Sequence, residues 1–340
     1  MKVLYLEAPH KMYVKELPEP VLEEGHAIVE IELCGVCGTE IGGLKGTSPV
    51  VKYPVIGVGH EATGTIVAIG ENDRNLKAGD RVCLEPYVSC GECYTCKQGR
   101  YNDCERLTVS GVHRPGMMAT LVSHAISLIH KIPDSMTWEQ GAMVEPLTIA
   151  LHANRRGRTE AGEYCLINGA GPIGMLTAMV AQVKGALPVV ADPVQERLDF
   201  CSSLGIANIC NNAKEDLNAY LVKTCGGSLP LVAIDCSGAI SAVEHLADCV
   251  RFGGRIVFLG WPKSACSIDI SWYIRKELDL FGSRNSCNDF AESIDLIHSG
   301  KIPATKLISV IASIDDAPEL FQKIIARPED YLKAVIRIKG

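Results

Sequence analysis

The feature that most constrains this chain is a group of four closely spaced cysteines. Residues 90–104 read CGECYTCKQGRYNDC, with the spacing Cys90-x2-Cys93-x2-Cys96-x7-Cys104. Two-residue gaps let successive thiolates curl around one ion, and the longer return brings a fourth sulfur to complete a tetrahedron. Four sulfurs form the closed coordination of structural zinc, which leaves no position for water or substrate. The spacing therefore predicts a metal that organises one lobe of the fold, with the chemistry elsewhere.

Other uses of clustered cysteines fit less well. A redox C-x-x-C pair would leave two thiols without a role, and a nucleic-acid-binding zinc ribbon would need more basic surroundings. The formal net charge of −7 disfavours nucleic acid and anionic membranes as partners. The amino terminus lacks the features of a signal peptide, and no apolar run is long enough to cross a bilayer. We therefore expect a soluble cytoplasmic protein, in which most of the other cysteines are small buried hydrophobes.

Three separated segments offer ligands for a second metal. LCGVCGTE contains Cys37 and the hydroxyl of Thr39, GVGHEATG contains His60 and Glu61, and AMVEPLTIA contains Glu145. Glycines beside Cys37 and His60 allow turns that aim short side chains inward. One sulfur, one imidazole and one carboxylate leave a fourth position open, as in catalytic zinc sites. Glu145 precedes a proline, so a carboxylate at a helix start is the alternative, and the sequence does not decide which glutamate binds metal.

A glycine-rich turn begins a different pattern after residue 163. EYCLINGAGPIGMLTAMV predicts a strand, a tight turn and a helix. In G-x-G-x-x-G the first glycine makes the turn, the second admits a pyrophosphate and the third packs helix on strand. The motif alone is weak evidence, but its strand–turn–helix context makes it a dinucleotide-binding candidate. The predicted cofactor-contacting residues of this turn are Gly169, Gly171, Pro172, Ile173 and Gly174.

The end of the next apolar strand indicates which dinucleotide binds. Asp192 follows at about the ~20-residue distance expected for the acidic residue that accepts the ribose hydroxyls. Because a carboxylate repels a 2′-phosphate, Asp192 favours NAD over NADP. Arg197 lies nearby as a further candidate, although a helix-surface charge explains it more simply. The alternation of apolar strands and helices that follows predicts six strands in a doubly wound parallel sheet.

Together these motifs resemble the zinc-dependent medium-chain dehydrogenases. The order CGVCGTE, GHEATG, four spaced cysteines, VEPL and GAGPIG is similar to that family from end to end. Within it, GHE with VEPL resembles the sorbitol, threonine and sugar-acid dehydrogenase branch, and GSRN at 282–285 is similar to L-galactonate-like enzymes. The resemblance implies an α/β protein with a β-rich GroES-like catalytic domain at 1–147 and 283–340. A Rossmann NAD-binding domain would occupy 148–282.

The resemblance also implies roles for single residues. Zinc would be carried at Cys37, His60 and Glu61, while Glu145 binds or steadies the metal water. Thr39 would stand at the position of the proton-relay hydroxyl, with a cap for the adjoining helix as the alternative. Arg284 would hydrogen-bond a substrate hydroxyl or metal water, with a surface charge as the alternative. Two zinc ions and one NAD per chain, and a homodimer or homotetramer, are implied as well.

Two departures from the family bear on the substrate. Where relatives carry C-G-[ST]-D-x-H, this chain has Glu40 for the aspartate and Gly42 for the histidine that often ends the proton relay. The proton exit should therefore differ. Where relatives carry a DGGFAEY-like stretch, this chain has Met117 and Met118, which either pack beneath a loop or line a wide apolar pocket.

Several functions therefore remain open at this point. The leading prediction is NAD-linked oxidation of a polyol or sugar acid, in which zinc stabilises the alkoxide and hydride passes to the nicotinamide. A bulkier apolar secondary alcohol, sterol-like in size, is the alternative substrate. A non-catalytic zinc-binding protein on the same fold is the alternative from another class, disfavoured by the open ligand set. A zinc-free reductase relative would lack the cysteine group and the GHE pair.

Overall fold

The computed structural model describes residues 1–339, and the chain divides into two compact units. The first unit is Met1–Glu145 together with the chain from Phe290 onward, and the second is Pro146–Asp289. The sequence placed the boundaries at 147/148 and 282/283. Residues 283–289 group with the second unit because Arg155 donates to the Cys287 carbonyl, 2.9 Å away, and contacts the Asp289 carboxylate.

The first unit is built mainly from antiparallel strands. In chain order these are β1 (Lys2–Ala8), β2 (Lys11–Glu16), β3 (His26–Gly35), β4 (Val55–Ile56), β5 (Glu61–Ile69), β6 (Arg81–Leu84), β7 (Tyr87–Val88), β8 (Thr108–Val109), β9 (Leu121–Ala125), β10 (Ile129–Lys131), β17 (Ile308–Ser313) and β18 (Lys333–Arg337). Seven of them form one sheet in the order β10-β6-β5-β3-β18-β17, with β9 also paired to β3. A three-stranded sheet, β2-β1-β4, and the pair β7-β8 complete the unit.

Strand β3 organises the first unit because it pairs with three neighbours. Its sequence HAIVEIELCG alternates along much of its length, and its apolar side chains enter a core with Ile31 and Phe321, both fully buried. In the register of the sheet, Gly35 lies opposite Glu61 of β5 and opposite Val335 of β18. This register brings the start of β5 and the carboxyl-terminal strand to one end of β3, where the candidate site lies.

The helices of the first unit are short and lie at the ends of strands. They are α1 (Gly38–Lys45), α2 (Tyr94–Lys97), α3 (Trp138–Ala142), α10 (Phe290–His298) and α11 (Ala317–Ala326), and α4 (Val144–Arg156) has its first two residues in this unit. Five 3₁₀ turns accompany the helices in the described chain, at Tyr101–Asp103, Ile126–Leu128, Leu246–Cys249, Ala304–Leu307 and Pro328–Asp330.

The second unit is a six-stranded sheet in which every strand pair is parallel. Its strands are β11 (Tyr164–Asn168), β12 (Leu187–Asp192), β13 (Asn208–Asn211), β14 (Val232–Asp235), β15 (Arg255–Phe258) and β16 (Asp279–Gly282). Its helices are the rest of α4, α5 (Pro172–Val183), α6 (Gln195–Ser203), α7 (Leu217–Thr224), α8 (Ile240–Glu244) and α9 (Ile270–Lys276). The order β13-β12-β11-β14-β15-β16 is doubly wound and changes direction beside β11. The predicted doubly wound parallel sheet is thus confirmed.

The buried strands explain why the sequence of this unit is nearly continuous in apolar residues. All four residues of β14 are buried, as are the last four of β11, because helices cover both faces of a parallel sheet. Across residues 1–339, no helix combines the length and the apolar character needed to span a lipid bilayer.

Candidate active site

The four-cysteine lobe brings its sulfurs together. The Sγ atoms of Cys90, Cys93, Cys96 and Cys104 all lie within 4.8 Å of one another. Gly91 adopts a φ of 73°, a left-handed conformation that lets the chain reverse between the first two cysteines. Cys93 is the N-cap of α2, and the 3₁₀ turn Tyr101–Asp103 returns the chain to Cys104. Four convergent thiols fit one tetrahedral zinc.

Hydrogen bonds favour thiolate, the form that binds metal, at two of the four cysteines, whereas burial and the neighbouring Cys93 raise the pKa of Cys96 to about 11. The Thr95 hydroxyl and the Cys96 backbone N–H lower the pKa of Cys93 to about 5. Backbone N–H groups likewise lower the pKa of Cys90. The backbone N–H of Cys90 donates to the Cys104 sulfur over 3.3 Å, as hydrogen-bond donors to metal-bound thiolates do. This lobe is therefore prepared for a cation and offers no open position for substrate.

A second cluster unites Cys37, His60 and Glu61. Their ligand atoms also lie within 4.8 Å of one another, and Glu61 and His60 are buried. Cys37 is the N-cap of α1, Glu61 is the first residue of β5 and His60 directly precedes it. A β-carbon on Gly35 of β3 would lie 1.9 Å from Glu61 Oε2. Any side chain at residue 35 would therefore displace the Glu61 carboxylate. A sulfur, an imidazole nitrogen and a carboxylate oxygen in this arrangement fit a zinc ion with an open fourth position.

Glu40 supports this cluster from the first turn of α1. One oxygen accepts a hydrogen bond from the Cys37 backbone N–H over 2.7 Å, and the other lies 2.8 Å from His60 Nδ1. Because Nδ1 faces the Glu40 carboxylate at ion-pair distance, Nε2 is the ring nitrogen left for a metal. Burial alone would lower the pKa of His60, but Glu40 and Cys37 raise it well above its usual range. Sequence reasoning treated Glu40 only as a departure from the family, although its i+3 spacing from Cys37 is a capping-box signal.

Lys333 holds Glu61 from the carboxyl-terminal strand. Its ammonium forms an ion pair with Glu61 Oε2 and donates to the Val36 carbonyl over 3.0 Å. Burial disfavours the charge, but Glu61 and Cys37 offset this and raise the pKa of Lys333 above its usual value. Sequence reasoning missed Lys333. The available signal was a lysine at the start of the apolar strand KAVIRI, where a buried charge requires a partner.

Glu145 is buried beside this cluster but is not among its three convergent ligands. It lies in the first turn of α4 and accepts a hydrogen bond from the Tyr87 hydroxyl. Burial raises its pKa to about 7, and the neighbouring Glu61 carboxylate adds to this increase. A carboxyl that titrates near neutrality is able to exchange a proton during a reaction. Tyr87, which sequence reasoning also missed, left no recognisable signal in EPYVSC.

The structure places Thr39 and Arg284 in different surroundings. The Thr39 hydroxyl lies 3.7 Å from Cys37 Sγ, within the cluster. Its alternative role as a helix cap is wrong, because Cys37 itself occupies the N-cap position of α1. Arg284 is an exposed residue of the second unit, on the segment that follows β16. Its role towards substrate stays a prediction.

Met117 and Met118 do not line an open pocket. Both are fully buried in the core of the first unit, with their backbone N–H groups bonded to the carbonyls of Gly59 and Val58. A β-carbon on Gly59 would lie 2.9 Å from two carbons of Met118, so the methionine fills the space beneath the turn before His60. The apolar-pocket interpretation of these residues is therefore wrong.

The glycine turn of the second unit has the local geometry of a dinucleotide site. A β-carbon on Gly174 would lie 1.8 Å from the Gly169 carbonyl, so helix and strand approach too closely for a side chain. By contrast, a β-carbon on Gly171 would meet nothing within 4 Å. Gly171 is the N-cap of α5, and Pro172 and Ile173 form its first turn. A backbone turn that opens to solvent at a helix N-terminus fits a pyrophosphate.

Asp192 lies at the carboxyl end of β12, next to this turn. Its oxygens accept hydrogen bonds from the backbone N–H groups of Ala170, at 2.7 Å, and Val194, at 2.8 Å. Asp192 is buried, and because each carboxylate oxygen has a second lone pair, it stays a predicted acceptor for a ribose hydroxyl. Arg197 is half-buried on α6.

Comparison with known proteins identifies two family domains in the chain. Residues 23–134 match the model of the alcohol dehydrogenase GroES-like domain, and residues 172–299 match that of the zinc-binding dehydrogenase domain. Both the predicted GroES-like domain and the predicted Rossmann domain are thereby confirmed as fold classes.

Full-length relatives match over nearly all of the chain. An uncharacterised zinc-type alcohol dehydrogenase-like protein of Haemophilus influenzae is 38% identical, covering 98% of this chain and 97% of the relative. The L-galactonate-5-dehydrogenase of Escherichia coli K12 is 33% identical, covering 99% and 98%. The sorbitol dehydrogenase of Bombyx mori is 32% identical, covering 98% of each.

A solved structure of an alcohol dehydrogenase is also similar to this chain over nearly its whole length. The crystal structure of an alcohol dehydrogenase from Escherichia coli CFT073, complexed with NADH, superposes with a TM-score of 0.91 at 29% identity, covering 99% of each chain.

Proposed function

Because this chain belongs to the zinc-dependent medium-chain alcohol dehydrogenases, we propose that it transfers a hydride between NAD and a secondary alcohol of the polyol or sugar-acid class. It is an oxidoreductase that acts on CH–OH donors. The convergence of Cys37, His60 and Glu61 is the observation that carries the proposal. A site with three protein ligands and one open position is built for catalysis rather than for structure.

The polarity of the site supports a hydroxyl-rich substrate. Besides the metal ligands, the buried side chains Glu40, Glu145 and Lys333 surround the cluster. The methionines that would have supported a bulky apolar alcohol lie in the core instead. The relatives named for L-galactonate and sorbitol oxidation point to the same substrate class.

The turn Gly169–Gly174 and Asp192 support NAD as the cofactor. Gly171 leaves room for the pyrophosphate, and the Asp192 carboxylate would accept from ribose hydroxyls and repel a 2′-phosphate. When bound, the nicotinamide supplies the acceptor for hydride. The complex of the Escherichia coli relative with NADH supports this assignment.

The residues of the chain have separate tasks in this reaction. Cys37, His60 and Glu61 would hold the zinc, which when bound supplies Lewis-acid polarisation of the substrate oxygen. Glu40 keeps His60 Nδ1 engaged, and Lys333 anchors Glu61. Glu145, buried beside the cluster and bonded to the Tyr87 hydroxyl, would hold or release the hydroxyl proton. The Thr39 hydroxyl, beside Cys37, would carry the proton onward.

The family resemblance adds three further parts to the proposal: the role of Arg284, the oligomeric state and the cellular location. Arg284 would contact a substrate hydroxyl, and the protein would form a homodimer or homotetramer in the cytoplasm. These assignments rest on the family and not on a contact within the chain.

A substrate panel tests the proposed function. Purified protein with zinc should reduce NAD in the presence of polyols or sugar acids, with little reaction towards large apolar alcohols and little use of NADP. His60→Ala should lower kcat on the order of 10³-fold because the metal loses a ligand. His245→Ala, which alters an exposed histidine of the second unit, is the matched control and should keep full activity. Reduction of NADP with a sterol-like alcohol alone would refute the proposal.

A further inference from the structure

We propose that Tyr87 positions the Glu145 carboxylate, so that the four-cysteine lobe orients the catalytic centre through this single hydroxyl. The inference rests on the proposed function, because it concerns the carboxylate beside the catalytic zinc. In this scheme the closed metal site does more than fold its own lobe, because it also helps to orient Glu145. Tyr87 is a positioning residue in this scheme and does not itself touch substrate.

The position of Tyr87 in the chain connects the two metal sites. It lies in β7, immediately before the cysteine lobe, and pairs with Val109 in β8, immediately after the lobe. The backbone N–H of Ser110 bonds to the Pro86 carbonyl over 3.0 Å and continues this pairing. The two strands therefore enter and leave the lobe side by side. A metal that closes the lobe would hold the pair, and with it the backbone that carries the tyrosine.

The side chain of Tyr87 reaches from this strand pair to the catalytic centre. Its ring is 3% exposed, and its hydroxyl donates to Oε1 of Glu145, which is 4% exposed. A buried carboxylate needs donors, and a hydrogen bond to a charged acceptor is stronger and more directional than a neutral one. The tyrosine has only two side-chain torsions, and its burial leaves the ring little freedom to turn. The contact therefore restrains rotation of the Glu145 carboxylate.

This restraint matters because Glu145 starts a helix and is not one of the three convergent ligands. Cys37, His60 and Glu61 are located by α1 and β5, whereas Glu145 arrives on α4. A carboxylate that serves a metal site has to be held within a fraction of an ångström of its working position. Glu145 accepts a hydrogen bond from the Tyr87 hydroxyl. Because Tyr87 lies in the strand that leads into the lobe, the position of this donor depends on how the lobe is held.

The test uses the conservative variant Tyr87→Phe in the holoenzyme. Removing the hydroxyl leaves the ring in place, so we expect two metals per chain and a cooperative unfolding transition. The kcat should fall on the order of 10- to 100-fold, the range seen for outer-shell residues of metal sites, with KM nearly unchanged. In the protein with cobalt(II) in place of zinc, the visible absorption band of the Cys37 site should shift.

Tyr13→Phe is the matched control. Tyr13 also donates to a carboxylate in the first unit, Glu7 Oε2, over 2.7 Å, but away from both metal clusters. It should change neither kcat nor the cobalt spectrum. If Tyr87→Phe behaves like Tyr13→Phe in both measurements, the positioning role is refuted.

A second variant separates positioning of Glu145 from a general effect of Tyr87→Phe on folding. In a Glu145→Ala background the tyrosine has no carboxylate to orient, so adding Tyr87→Phe should leave the cobalt spectrum and residual turnover unchanged. An equally large further loss in that background would show that Tyr87 acts by another route. Failure of the proposed function is distinguishable, because the wild-type protein would then lack both the cobalt band of the Cys37 site and NAD-linked turnover.

Discussion

Single residues outside the ligand set decide how the candidate centre is held. Glu40 contacts both the backbone of Cys37 and the ring of His60, and Lys333 pairs with Glu61. Each ligand thus has a partner that limits its orientation before a metal binds. Glu40, where this chain departs from the family pattern that its motifs resemble, lies 2.8 Å from the imidazole of His60. Gly42, the other departure, offers no side chain for a proton relay.

A buried histidine elsewhere in the first unit predicts how stability depends on pH. His124 Nε2 lies 2.9 Å from the Glu85 carbonyl, and burial lowers the pKa of His124 to about 4. The unfolded chain, with an ordinary histidine pKa of about 6.5, binds the proton more readily. Stability is therefore fully present above about pH 6.5 and is lost as the pH falls towards 4.

His124→Gln should remove this contribution, because glutamine stays neutral and can still donate to the carbonyl. Between pH 7 and pH 5 the wild-type protein should lose about 2 kcal/mol more unfolding free energy than the variant. Urea unfolding at the two pH values measures the difference. Parallel losses in both proteins would contradict the prediction.

At the scale of elements, the turn between β11 and α5 contains one glycine required for packing and another that leaves space for a ligand. Gly174 is needed because the helix lies against the Gly169 carbonyl, whereas Gly171 faces open space. The two glycines of one motif therefore serve different purposes, and the structure tells them apart. The same turn was the feature that most clearly indicated a dinucleotide from the sequence.

Substitution of the two glycines should separate the two effects. Gly174→Ala should lower the free energy of unfolding by about 3 kcal/mol or more, because backbone has to move. Gly171→Ala should unfold like the wild type but bind NADH at least about tenfold more weakly, since its methyl group occupies the space of the pyrophosphate. Thermal unfolding and NADH fluorescence titration measure the two outcomes. Normal NADH affinity in Gly171→Ala would exclude this turn as the cofactor site.

At the scale of the whole molecule, the two metal clusters have different tasks within one unit. The cysteine lobe is closed and lacks an extensive apolar core of its own, so its order depends on metal. The Cys37 cluster lies at the end of β3, in a sheet held by a large core, and should stay folded without metal.

A substitution in the cysteine lobe should therefore lower both the zinc content and the stability of the protein. Cys93→Ser should lose about one zinc per chain and several kcal/mol of stability. Cys266→Ser, which alters a half-exposed cysteine of the second unit, is the control and should lose neither. Elemental analysis and thermal unfolding provide the measurements. Two zinc ions and an unchanged midpoint in Cys93→Ser would show that the lobe is not a metal site.

Much of the architecture could be predicted because its determinants are local. The cysteine spacing, the strand–turn–helix context of GAGPIG and the alternation of apolar segments all act within short stretches of chain. One local element was still missed: α9 (Ile270–Lys276), whose sequence ISWYIRK has apolar residues exposed on its surface and carries no clear helical stripe.

The sequence by itself determined the family and the fold class, and it predicted which residues bind metal and dinucleotide. Only the tertiary structure decided that Glu61, rather than Glu145, converges with Cys37 and His60, that Lys333 and Tyr87 hold these carboxylates, and that Met117 and Met118 belong to the core. The physical reason is the separation along the chain between the residues that interact. Turns and spacings are set by neighbouring residues, whereas these contacts depend on the register of β3 against β5 and β18, which joins segments far apart in the chain.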